Sequence, residues 1–171
     1  MGFIGMSLSY RVKTVALFFL ELGYKENIEI THMKLQKLVY FAHGWCLAIV
    51  GEPLIQESVE AWPYGPVIGN LYQWLKQFGS GPIDIKELPI NTDLRISLLE
   101  LKKDLTIVQL INRVWDVYKD FDAIKLSRMA HLPSSPWGTA RKKCPPKKIN
   151  ITIDDDLIGA FFSEYAKDTS Q

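Results

Sequence analysis

His43 and Cys46 stand three residues apart, so on a helix both would point from one face. That pair suits two kinds of chemistry: half of a zinc site, or an imidazole that activates a thiolate nucleophile. A zinc site needs further ligands, yet no second paired Cys/His motif occurs, and His32 and His131 are isolated in sequence. The nucleophile reading is weakened by context, because Cys46 lies in an apolar run where a thiol is normally inert core. Asp154, Asp155 and Asp156 could gather a cation, but they open an apolar helical pattern. There a cap followed by an acidic first turn complements the helix dipole. Glycine-rich phosphate loops, nucleophile elbows and zinc-protease motifs do not occur. No catalytic residue, cofactor or metal ligand is therefore expected, and an uncharacterised Cys/His enzyme is the least favoured reading.

Residues suited to binding are better represented. Lys34 and Lys37 are i, i+3 neighbours at the start of an apolar helical stretch. They oppose the helix dipole there, so each wants an acceptor. Glu57 and Glu60 across the fold are one choice, and a charged contact on a partner protein is the other. Trp62-Pro63-Tyr64-Gly65-Pro66 makes a stiff turn with two large aromatic faces. It is either a packing corner or a binding surface, since Trp and Tyr carry much of the energy at interfaces. Arg141 to Lys148 is a concentrated basic run, read as a solvated loop before a docking site for an acidic partner. No nucleic-acid-binding signature accompanies it, and no sequence-specific nucleic-acid binding is expected.

Bulk numbers fit this picture. The chain has 171 residues, 47% hydrophobic and 23% charged, with a formal net charge of +1. Such a balance supports one folded core and supplies no global field for nucleic acid or membrane. Two cysteines, one in an apolar helix and one in a basic loop, do not make a disulfide framework, so a cytoplasmic setting is expected. The longest apolar stretch, Leu38 to Val50, is interrupted by His43 and Gly44 and is too short to span a bilayer.

The elements that would carry these residues are mostly helical. Val12, Val15, Ala16 and Phe19 follow a helical period, predicting a helix over 9–22 stopped by Gly23. Thr31 caps a second helix whose apolar face widens from Leu38 onward, which marks it as buried and central. The segment 53–62 reads as one strand of a small hairpin ended by Pro63, and Gly65-Pro66 as the start of a third helix. Ile83 and Ile85 suggest a short strand. Further helices follow over 93–102, from Thr106, after Asp122, after Ser135 and after Asp154, and Ile149, Ile151 and Ile153 alternate as a strand would. The expected fold is mainly α, a single compact helical domain with a minor short β element. Residues 1–8 form an N-terminal extension and 9–168 the domain.

Three stretches together resemble the Panacea antitoxin domain family, which includes SocA-like antitoxins and phage-associated GepA-like proteins. The first runs from Lys34 to Ala42 and the second from Ala61 to Val67. The third is Leu126-Ser127 leading to His131 and then Ser135-Pro136-Trp137, with Ala130 standing where the family usually has Thr. The resemblance covers about Val12 to Tyr165. It implies an antitoxin that neutralises a cognate toxin, encoded beside it, by direct protein contact. It also implies the alternatives of a proteolysis adaptor working with a cytosolic AAA+ protease, or a phage-associated accessory protein. Exposed surface around Lys34, Lys37, Tyr40, Trp62, Tyr64 and Trp137 is then the expected partner-binding site.

Overall fold

Thr31 opens the central helix: its hydroxyl accepts the Lys34 amide, and α2 runs His32–Ile49. The computed structural model describes residues 9–144, 148 and 151–168. Helix α2 is buried on nearly every side, including at Lys34, Gln36, Lys37 and His43. It packs against α1 (Val12–Glu26), α3 (Gly69–Leu75), α5 (Leu105–Tyr118), α6 (Ala123–Ala130) and α8 (Asp155–Asp168). α4 (Thr92–Lys103) lies against α1 and α5, and α7 (Pro136–Lys142) against α8.

The fold is mainly α with one small antiparallel sheet. Strand β1 (Val59–Trp62) pairs with β2 (Gly65–Val67) on one side and β3 (Thr152–Ile153) on the other, giving the order β2-β1-β3. Trp62 faces Gly65 across the hairpin, and Val59 faces Ile153. Most helices start on a side chain that accepts an orphan amide: Asn91 for α4, Asp104 for α5, Asp122 for α6 and Ser135 for α7. α1 has no local cap. Its first amide, on Val12, donates instead to the Glu57 carboxylate at 2.7 Å, a residue 45 positions away.

Several local expectations change. Gly23 does not end α1; the helix continues to Glu26 and closes on Asn27 in the left-handed region. Gly23 is needed for closeness, because a Cβ there would sit 2.7 Å from the Ile30 side chain. Gly65-Pro66 does not begin a helix. It forms β2, where Gly65 adopts φ +119, and α3 starts at Gly69. The stretch around Ile83 and Ile85 forms a 3-10 turn over Ile85–Glu87 in place of a strand. Arg141 and Lys142 belong to the last turn of α7 and not to a loop. The expectations for residues 1–8, Pro145 to Lys147 and Ile149 fall outside the described residues.

Candidate partner-binding site

Helix α2 holds the β1–β2 hairpin through its main chain. Gln36 makes a two-way clamp on Ile68, its side-chain oxygen accepting the Ile68 amide at 3.0 Å and its nitrogen donating to the Ile68 carbonyl at 3.3 Å. From the next residue, the Lys37 ammonium donates to the Pro66 carbonyl at 2.8 Å. Lys37 is only 2% exposed. Burial pushes its pKa down from 10.5 to about 8. Gly65 is required above it, since its φ of +119 favours glycine and a Cβ would approach Lys37 Nζ to 3.0 Å and the His131 ring to 3.5 Å.

The other side of the hairpin is fixed by α6 and α7. Trp137 Nε1 donates to the Trp62 carbonyl at 2.7 Å, and Arg141 donates to the Ala61 carbonyl at 3.4 Å. The His131 ring meets Trp137 edge to face at 3.9 Å between centroids. Its pKa is lowered by burial first and by the Lys37 charge second, while a hydrogen bond with the Pro63 backbone works the other way. Ser135 supports this corner by capping α7 and donating to the Ala130 carbonyl at 3.1 Å. Ala130 itself is buried, and its carbonyl accepts this bond from the Ser135 hydroxyl. Trp62 lies partly buried against Tyr72, with its indole N–H on Glu60 at 2.7 Å. At the tip Tyr64 is 87% exposed.

The six residues expected to form the partner surface therefore divide by position. Tyr64 faces solvent, and Trp62 and Trp137 are partly buried beside it. Lys37 lies beneath the hairpin. Lys34 sits elsewhere, buried, donating to the Lys119 carbonyl at the C-terminal end of α5. Burial lowers its pKa, against the attraction of Asp120 and Asp122. Tyr40 is 1% exposed, its hydroxyl has no hydrogen-bond partner among the described residues, and burial raises its pKa. Neither lysine pairs with Glu57 or Glu60 as expected: the ammoniums donate to the Lys119 and Pro66 carbonyls, and those carboxylates accept from Val12 and Trp62. Sequence reasoning missed Gln36, although its place between the two lysines was in view. A buried amide clamping a strand leaves no periodic trace.

The His43 and Cys46 pair does not form. The His43 ring bonds Asp155 Oδ1 at 2.9 Å and accepts the Ile55 amide at 3.5 Å. Cys46 is fully buried, and desolvation raises its thiol pKa to about 12, the opposite of an activated nucleophile. Among the described residues no cluster of three or more His, Cys, Asp or Glu is placed to hold a metal ion. No helix among them is long and apolar enough to cross a membrane.

Comparison with known proteins bears directly on the three stretches that meet at the hairpin. Residues 35–138 match the family described as Antitoxin SocA-like, Panacea domain, a span that includes Gln36, Lys37, the whole hairpin, His131 and Trp137. Over 132 residues the chain is 32% identical to Antitoxin SocA of Caulobacter vibrioides (strain NA1000 / CB15N), covering 75% of this chain and 69% of that protein. No solved structure matches it. The motifs that clamp the hairpin, and the extent of both matches, place this chain in the SocA-like, Panacea-domain antitoxin family.

Proposed function

We propose that this chain is an antitoxin that silences a cognate toxin, encoded by the adjacent gene, through direct protein contact. Membership of the family, with a relative named as an antitoxin, carries the reading. Its chemistry is that of a binding surface and not of a reaction centre. Tyr64, held at the tip of a hairpin clamped from two sides, is a pre-organised aromatic anchor of the kind that dominates interface energies. Lys37, Gln36 and Trp137 position it, and Trp62 flanks it.

Co-expression with the product of the neighbouring open reading frame tests the reading. The wild-type chain is expected to restore growth and to co-elute with that product. Tyr64→Ala is expected to weaken both while leaving the unfolding midpoint unchanged. Lack of rescue and lack of co-elution by the wild-type chain would overturn the proposal.

A further inference from the structure

A long apolar furrow opens on the face built by the end of α2, α5, α6 and α8. Its larger part has a volume of about 710 Å³ and its smaller part about 230 Å³. The two share Tyr118, Met129 and Tyr165, so they form one groove. Large apolar side chains along it face water: Ile49 is 69% exposed and Val117 42%. Unlike scattered surface hydrophobics, these are contiguous with an aromatic floor of Phe41, Tyr118 and Phe162.

The charges on the groove have one sign. Arg113 lines the larger part and Arg128 the smaller, and among the described residues no acidic one lines either. Both are exposed, and among the described residues neither forms a salt bridge. An apolar trough with two available guanidinium groups fits an amphipathic helix whose apolar face fills it and whose flanking carboxylates reach the arginines. The groove also reaches the hairpin: Leu132 lines its smaller part, and the preceding residue, His131, lies under Gly65 and against Trp137.

From this we infer that the groove between α2, α5, α6 and α8 receives an acidic amphipathic helix of the partner protein, extending the surface that begins at Tyr64. The inference rests on the binding reading above and names the chemistry of what is bound. Its test uses the neighbouring gene's product as the probe. Two double variants are compared with the wild type: Ile49→Asp with Val117→Asp, and Arg113→Glu with Arg128→Glu. All four positions are exposed, and unchanged unfolding midpoints establish that the variants fold. Each double variant is expected to weaken binding by about tenfold or more. Replacing both arginines by lysine is expected to retain most of it. Variants that bind and rescue like an active wild type overturn the groove assignment alone. A wild-type chain that neither binds nor rescues overturns the binding reading, and this inference with it. A wild-type dimer split by the same substitutions gives the groove to a second copy of the chain and also overturns the assignment.

Discussion

Among the described residues Lys37 is a buried cation with one carbonyl acceptor and no carboxylate, so its charge is a cost that the fold tolerates. The unfolded chain holds that proton up to about the ordinary 10.5, whereas the folded chain releases it near 8. Between those values the unfolded state binds more protons, so this residue's contribution to stability rises as pH climbs from about 8 to 10.5. Cys46 drifts the other way: its folded pKa of about 12 exceeds the ordinary 9.0, so folding loses stability as pH passes 9. The two are separated by comparing wild type with Lys37→Met across pH 7 to about 10 by denaturant unfolding. The wild type is expected to gain on the variant as pH rises; a constant difference would show that the ammonium is not desolvated. Gln36→Ala strands the buried Ile68 amide, while the Ile68 carbonyl keeps the Tyr72 amide, and is expected to cost about 1–3 kcal/mol by the same measurement.

Helix contacts set a second group of expectations. Gly44 on α2 lets Phe162 of α8 approach so closely that an added Cβ would land in the phenyl ring. Gly44→Ala is expected to destabilise by about 1–3 kcal/mol, despite alanine's better helix propensity, and thermal unfolding would show it. Glu57→Ala removes the distant cap of α1 and is expected to cost about 0.5–2 kcal/mol, with faster hydrogen exchange confined to the first turn. Elements of this kind also show what the sequence could tell. Periodicity located α2 and α5, and Thr31, Asp122 and Ser135 were readable as caps, because these signals are local. Gly23 looked like a stop and Gly65-Pro66 like a helix start, because local rules describe what glycine and proline permit. At Gly23 the missing Cβ makes room for the Ile30 side chain while the helix closes four residues later on Asn27, and at Gly65-Pro66 the Lys37 ammonium and the β1 ladder capture the segment. The motifs marked the stretches that meet at the hairpin. Which of their residues faces water was not legible, since burial of Lys34, Lys37 and Tyr40 depends on helices that pack from elsewhere in the chain.

Across the whole molecule, one helix organises the rest. α1, α3, α5, α6 and α8 all pack on α2, and the hairpin hangs from it through Gln36 and Lys37. Native-state hydrogen exchange is expected to find the slowest amides between Leu38 and Cys46, opening only with global unfolding. Exchange there as fast as in α7 would mean that the bundle opens in parts. The hydrogen bonds by which α2, α6 and α7 grip the hairpin end on main-chain atoms, at Ala61, Trp62, Pro63, Pro66 and Ile68, and none uses the Tyr64 side chain among the described residues. The scaffold is therefore indifferent to which side chain stands at position 64. Mutational drift at that tip can explore new chemistry without jeopardising the architecture, and a display library randomised there should yield folded members carrying many different recognition specificities.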